Sequence, residues 1–221
     1  MTILCTTYVP EGVVMAADSR LTRTVIVGEN EKKVYTHSDK AQKIVLLRKA
    51  RVGISSCGDA ILDSKTISDF LRIFEIEKVE EKDTVIEVAQ KLYEYTINYR
   101  GKVKFMVAGY KDDIAYVYDV GMELTLMNGD SLGNIFYNTI WDGSGGIAIK
   151  KLMNAEPRMA PNYTLMPLSD AIDFTEFLVD STIKYERFRD DIQSCGGDID
   201  ILVITKDDAF WYQHKIYNPK K

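Results

Sequence analysis

Short apolar runs broken by turn residues open the chain. Residues 3–8 and 13–18 are rich in apolar and β-branched side chains, with Pro10-Glu11-Gly12 between them, and that pattern predicts a hairpin. A second pair of runs follows at 43–47 (KIVLL) and 51–56 (RVGISS), turned around Arg48-Lys49-Ala50. The period changes over 59–76, where Ile67, Phe70, Leu71 and Phe74 recur at i, i+3, i+4 and i+7, the spacing of an amphipathic helix. Residues 84–98 repeat it with Val85, Val88, Ala89 and Leu92, and Thr84-Val85-Ile86-Glu87 supplies a capping box.

Strand patterns return at 103–109, 114–119, 122–127 and 133–140, with breaks at Lys111-Asp112-Asp113 and Val120-Gly121 that suit tight turns. A helix is expected after Gly143-Ser144-Gly145-Gly146. Another is expected over about 169–188, with Ser169 as N-cap and Ala171, Phe174, Leu178 and Tyr185 on one face. Two last strands, 199–205 and 208–214, flank Lys206-Asp207. No Pro/Gly/Ser linker or repeat divides residues 1–221, so a single domain is predicted. The helices come in pairs instead of alternating singly with strands, which argues against a doubly wound parallel sheet. The order predicts an α+β fold, a four-layer αββα sandwich of two mainly antiparallel sheets flanked by helix pairs. Strands covered on both faces also account for the nearly unbroken apolar runs at 43–47 and 201–204.

Composition narrows the classes. A chain of 221 residues can bury a core without a disulfide or metal staple. A net charge of -5 gives no electrostatic case for nucleic acid as the main partner. No apolar run approaches the roughly 18 residues needed to span a membrane, and no basic segment followed by an apolar one marks a secretory signal. Cys5, Cys57 and Cys195 are too scattered for a disulfide framework or zinc motif and fit a reducing cytoplasm. His37 and His214 are the only histidines. They exclude a His-rich metal site, and neither sits beside a nucleophile signature.

The chemistry suggested by the sequence begins at Thr2. An alcohol is a poor nucleophile and needs a base; an N-terminal threonine carries one in its own α-amine, whose ordinary pKa is about 7.7–8.0. That amine exists only if Met1 is removed, and the small residue at position 2 suits such processing. The predicted hairpin brings residues 2–3 close to Asp18 and Arg20. Lys43 begins another strand after Asp39 and Lys40. A lysine near Thr2 and Asp18 favours the neutral amine, because one cation disfavours a second.

Thr2, the run Gly12-Val13-Val14-Met15-Ala16-Ala17-Asp18-Ser19-Arg20, Lys43 and Gly53 resemble a proteasome-type β subunit of the N-terminal nucleophile hydrolase superfamily, to which the bacterial HslV ring proteases are close. The Ser55-Ser56-Cys57-Gly58-Asp59-Ala60 segment keeps the family spacing from Lys43, and the chain carries an insertion at roughly 28–38. Spacing downstream selects Lys43 over Lys40. Asp142-Gly143-Ser144-Gly145 is similar to the turn that opens the family's third helix, with Ser144 near the threonine amine. Arg189-Asp190-Asp191-Ile192-Gln193-Ser194-Cys195-Gly196-Gly197 resembles the segment carrying a supporting Asp-x-x-Ser, which implies Asp191 and Ser194. Cys195 separates that serine from the paired glycines, so either Ser194 or Cys195 fills the supporting position.

The resemblance implies a threonine endopeptidase with no cofactor or metal. Thr2 is the nucleophile, with Asp18, Lys43, Ser144, Asp191 and Ser194 around it, Arg20 in support and backbone N–H groups at Cys57 and Gly58 as the oxyanion hole. Ser55 falls where the family shapes the pocket for the residue before the cut. The resemblance further implies a cytoplasmic homo-oligomeric ring, a hexamer or heptamer and often stacked, acting on unfolded polypeptides fed by a separate ATPase unfoldase. Neither nucleic acid nor membrane is a partner. Alternative readings are a catalytically silent ring or assembly subunit and a small-molecule amidase of the same superfamily.

Overall fold

The computed structural model describes residues 2–27, 31–157, 159–190 and 192–216. Its fold is mixed, with four α-helices and antiparallel sheets among the described residues. One five-stranded sheet is ordered β12 (Asn138–Asp142), β1 (Leu4–Val9), β2 (Gly12–Ala17), β13 (Asp200–Ile204) and β14 (Ala209–Gln213). The other is ordered β11 (Leu124–Leu126), β10 (Ile114–Val120), β9 (Val103–Lys111), β6 (Val52–Gly58) and β5 (Ile44–Leu47). Helices α1 (Ile67–Lys78) and α2 (Val85–Tyr95) precede β9, and α3 (Gly146–Met153) and α4 (Leu168–Arg187) follow β12.

Strand periodicity decides what each residue packs against. Along β2, Val13, Met15 and Ala17 share a core with Leu4, Tyr8, Leu202 and Ile204 of their own sheet and with Ile44, Met106, Ala108 and Val117 of the other. The alternate residues Val14 and Ala16 turn to Ile149 of α3 and to Ala171, Leu178 and Val179 of α4. Val103, Phe105 and Val107 of β9 likewise pack on Phe70, Leu71 and Phe74 of α1 and on Val88 and Leu92 of α2. Strands buried on both faces need no polar face, which is why β1, β2 and β13 are apolar nearly throughout.

Gly53 is a point of close approach between the two sheets. A Cβ built there lies 2.7 Å from Leu202 Cδ2 and Met15 Sδ and 2.8 Å from Ile204 Cδ1, all side chains of the other sheet.

The helix ends are read well on one side of the molecule and less well on the other. The capping box forms as predicted: the Thr84 N–H donates to Glu87 Oε2 at 2.7 Å and the Glu87 N–H to Thr84 Oγ1 at 3.5 Å. Ser169 is not a cap. Helix α4 begins one residue earlier with Pro167 at the cap position, and the Leu168 N–H donates to the Glu11 carboxylate at 2.8 Å. A side chain from the β1–β2 turn thus takes the role expected of a local hydroxyl. Tyr185 is not on the buried face either; the buried stripe runs through Ala171, Thr175, Leu178 and Thr182, and Lys151 donates to the Tyr185 hydroxyl at 2.9 Å. The expected strand 133–140 shortens to Asn138–Asp142, because the Asp130 carboxylate takes the Leu132 and Asn134 amides at 2.8 Å in a turn. The insertion falls in a ribbon, β3 (Leu21–Val27) with β4 (Glu31–Ser38), whose residues 28–30 lie outside the description. A further small hairpin, β7 (Ile61–Leu62) with β8 (Lys65–Thr66), precedes α1 within the segment expected to be helical.

Gly53→Val is expected to cost about 1–3 kcal/mol of stability and Gly53→Ala less, since added methyls must displace side chains of the facing sheet. Urea unfolding measures this; unchanged midpoints in both variants would refute the close approach at this point.

Candidate active site

One end of the first sheet collects four separated segments. Leu4 is opposite both Ala17 and Asp142, and Asp200 is opposite Ala17. Thr2, Asp18, the turn after Asp142 and the residues before Asp200 therefore converge. Asp18 is the knot: its side chain is 0% exposed, and such an anion must be supplied with donors. Oδ1 accepts the Ile3 N–H at 3.0 Å and the Lys43 ammonium at 2.6 Å. Oδ2 accepts the Gly196 N–H at 2.9 Å and the Arg20 N–H at 3.2 Å.

Both Lys40 and Lys43 line the cleft that Thr2 lines, and Lys43 is the one paired with Asp18. Lys43 is buried on Asp18, whereas Lys40 is exposed and pairs with Asp198. The Lys43 carbonyl also accepts the Ser56 N–H at 2.9 Å, tying the entry of β5 to the end of β6. The Arg20 guanidinium makes a two-pronged pair with Asp39, Nε to Oδ1 at 2.7 Å and Nη2 to Oδ2 at 2.9 Å. Those hydrogen bonds hold the Asp39 carboxyl below its ordinary value of 3.8. The resulting stabilisation is present above that value and lost as pH falls through the lowered one. Asp39 is 42% exposed, so solvent screening keeps the effect small. The pair packs on the glycines of the 196–197 loop. A Cβ on Gly196 would lie 2.7 Å from Arg20 Cζ, and one on Gly197 would lie 2.6 Å from the Asp39 carbonyl oxygen. Glycine at 196 lets its N–H come within reach of Asp18.

Thr2 is buried, and its N–H donates to Ser144 Oγ at 3.4 Å. The turn carrying Ser144 wraps the threonine backbone: the Gly145 N–H donates to the Thr2 carbonyl at 3.3 Å. Gly143 has φ of 100°, and a Cβ on it would sit 2.1 Å from that carbonyl oxygen. Ser144 Oγ is 3.3 Å from Ser194 Oγ, so Ser194 meets Ser144 directly, while the Cys195 sulfur lies 3.7 Å from Ser194 Oγ behind it. Cys195 is fully buried, with its sulfur against the position a Gly145 Cβ would take. Asp191 lies outside the described residues. A residue with no precedent in the sequence pattern completes the cluster. Glu186, in the last turn of α4, accepts the Ser194 hydroxyl at 2.8 Å, the Ser194 N–H at 2.6 Å and the Cys195 N–H at 2.7 Å.

Thr2, Lys43, Cys57 and Gly58 line a cleft of about 480 Å³, together with Thr22, Gln42, Ser56, Asp59, Lys215 and other residues. Cys57 and Gly58 end strand β6 instead of lying in a loop. Ser55 is in the core and Ser56 takes its expected place on the cleft wall. Lys215 was not foreseen; it is buried on Asp200 and donates its backbone N–H to Asp200 Oδ1 at 3.0 Å. Beside the cleft, Lys104 of β9 bridges Asp119 of its own sheet at 2.7 Å and Asp142 of the other at 2.6 Å, which ties the sheets just before the Ser144 turn. Burial and the nearby Asp142 carboxylate push the Cys57 thiol up to about 12. Neither His37 nor His214 lines the cleft.

Comparison with protein-family models and with curated proteins finds no match for this chain. The chemistry therefore stands on the arrangement itself. It is a buried threonine lining a cleft, its nitrogen on the Ser144 hydroxyl that leads through Ser194 to a carboxylate, with a buried ammonium–carboxylate pair at the same cleft.

Asp18→Ala is expected to cost about 3–5 kcal/mol, because a buried ammonium and three backbone donors lose their acceptor. Lys43→Ala should cost less, since Asp18 retains three backbone N–H donors. Chemical denaturation of both variants tests the order, and a reversed order would displace Asp18 as the organising group. At pH 8, Cys57 should react with iodoacetamide about a thousandfold more slowly than a free thiol, as its thiolate is scarce. Peptide mapping after timed alkylation measures this, and labelling at the free-thiol rate would contradict the raised pKa.

Proposed function

We propose that this protein is a threonine-type peptidase subunit of the proteasome-like class, with Thr2 as nucleophile once Met1 has been removed. The observation that carries the reading is the joint placement of Thr2, the Asp18–Lys43 pair and Ser144 at one cleft. In this reading the layers form the αββα sandwich of the N-terminal nucleophile hydrolases. Thr2 Oγ adds to the substrate amide carbonyl while the α-amine takes the hydroxyl proton. Backbone N–H groups at Cys57 and Gly58 hold the resulting oxyanion, an effect worth roughly 3–4 kcal/mol where one donor has been removed from other hydrolases. The C–N bond breaks as the ammonium returns its proton to the leaving amine, which leaves an ester on Thr2. Water then hydrolyses the ester, with the same amine as base. Lys43 keeps the resting amine neutral by charge repulsion.

The rest of the reading concerns assembly. Subunits form a cytoplasmic homo-oligomeric ring around a chamber, and unfolded chains reach it with the help of a separate ATPase. Asp191 and Arg20 belong to the support of the site in this reading.

Intact mass of the purified protein, before and after treatment with a threonine-directed epoxyketone or boronate, tests the nucleophile. Loss of Met1 and one adduct per chain on Thr2 are expected. Thr2→Ala should lower peptide cleavage by at least about a thousandfold, the scale seen when a covalent nucleophile is removed. A Thr2→Ala variant that cleaves peptides at the wild-type rate would overturn the assignment. A processed, adduct-free protein without peptidase activity that still forms rings would favour the catalytically silent subunit.

A further inference from the structure

Glu186 is not part of the pattern that suggested the site, yet it ends a hydrogen-bonded path that runs from the Thr2 nitrogen through Ser144 and Ser194. That path has a direction. The Glu186 carboxylate has no proton to give when ionised, so the Ser194 hydroxyl must donate to it. The Ser194 oxygen is then left as acceptor toward Ser144 at 3.3 Å, and the Ser144 oxygen is left as acceptor toward the Thr2 nitrogen at 3.4 Å. Every donor along the path points toward the carboxylate. The carboxylate is itself fixed, because the Ser194 and Cys195 amides hold the same oxygen at 2.6 and 2.7 Å. A side chain placed there merely to close the end of α4 would need those two amides and not the aligned hydroxyls.

From this alignment we infer that Glu186 is a positioning residue that acts through Ser194 and Ser144 to stabilise the protonated form of the Thr2 amine, opposing Lys43. The inference rests on the reading of Thr2 as an N-terminal nucleophile. Chains of hydroxyls ending on an anion favour positive charge at the donor end. Lys43 favours the neutral amine, which accepts the proton; the Glu186 path favours the ammonium, which delivers it to the leaving group. The other charged or titratable groups around Thr2 among the described residues include Asp18 at the end of β2, the Arg20–Asp39 pair, the Lys40–Asp198 pair, Cys57 and Asp59 on the cleft wall, the Lys215–Asp200 pair along the cleft, Asp142 before the Ser144 turn, and the Cys195 thiol. Near Glu186, Arg187 shares its helix, and Arg189 and Asp190 follow in the chain. Of these groups the Cys195 thiol touches the path, its sulfur 3.7 Å from Ser194 Oγ, but burial raises its pKa and it adds no charge there.

The test titrates the amine directly, in protein beginning at Thr2 and labelled with 15N-threonine, and compares wild type with Glu186→Gln, Glu186→Asp and Ser194→Ala. Gln keeps an acceptor for the two amides but removes the charge. A unit charge on the order of 10 Å away shifts a partly buried group by roughly 0.3–1 pH unit. Glu186→Gln should therefore lower the amine pKa by about that amount, and Ser194→Ala, which cuts the path but leaves the charge, should lower it by a smaller measurable amount, while Glu186→Asp keeps the wild-type value. In peptide cleavage, the acid limb of kcat/KM should move to lower pH by the corresponding amount in Glu186→Gln and Ser194→Ala. An amine pKa unchanged in both Glu186→Gln and Ser194→Ala, even with a lower melting temperature, would overturn the inference and leave Glu186 a purely structural anchor. Should Glu186→Gln not fold, Ser194→Ala alone decides, because it cuts the path one link earlier. The two readings fail separately: a shifted amine pKa in a protein without peptidase activity would sink the proposed function, and normal activity with an unshifted amine would sink the role of Glu186.

Discussion

A carboxylate with no water around it must be surrounded by donors, and Asp18 draws its donors from parts of the chain far apart in sequence. The Ile3 and Arg20 amides come from the two arms of the first hairpin, the Gly196 amide from the loop before the last strands, and the ammonium of Lys43 from the entry to the other sheet. Satisfying that one group places the start of β1, the end of β2, the paired glycines and the first residue before β5 relative to each other. Gly196 can serve because it lacks a Cβ, which would collide with the Arg20 guanidinium that Asp39 holds in place.

The rest of the architecture keeps this arrangement still. Strands β1, β2 and β13 are buried on both faces, so neither sheet can slide by a residue without exchanging its two apolar sets between different neighbours. Gly53 admits Leu202 and Met15 at the meeting of the sheets, and Lys104 joins them with ion pairs to Asp119 and Asp142. Asp142 is immediately followed by the Gly143–Ser144 turn, so the tie between the sheets also steadies the hydroxyl nearest the Thr2 nitrogen.

Around that nitrogen the charges are arranged in opposition. A buried ammonium pairs with Asp18 in the cleft that Thr2 lines, and a path of two hydroxyls leads from the Thr2 nitrogen to Glu186. In the proposed mechanism the Thr2 amine takes a proton and later returns it, and such a group needs an environment that strongly prefers neither state. This balance depends on the last turn of α4 meeting the loop at 194–195, a contact between elements whose individual sequences carry no mark of it.

Local patterns fully specified some features. The spacing of Val85, Val88, Ala89 and Leu92 and the Thr84–Glu87 box determined α2, because periodicity and capping are properties of a few neighbouring residues. The paired helices and the unbroken apolar strands determined the α+β class for the same reason. Register in the first hairpin brought Asp18 near Thr2, while the choice of Lys43 over Lys40 rests on spacing matched to the family resemblance and not on a local pattern. Tertiary structure alone decided the rest. It capped α4 with Glu11 instead of Ser169, turned Ser194 and not Cys195 toward Ser144, put Ser56 and not Ser55 on the cleft wall, and brought in Glu186, Asp39, Lys104 and Lys215. Each of these choices is a hydrogen bond, ion pair or burial set by chain segments remote in sequence, and no local pattern records which remote segment arrives.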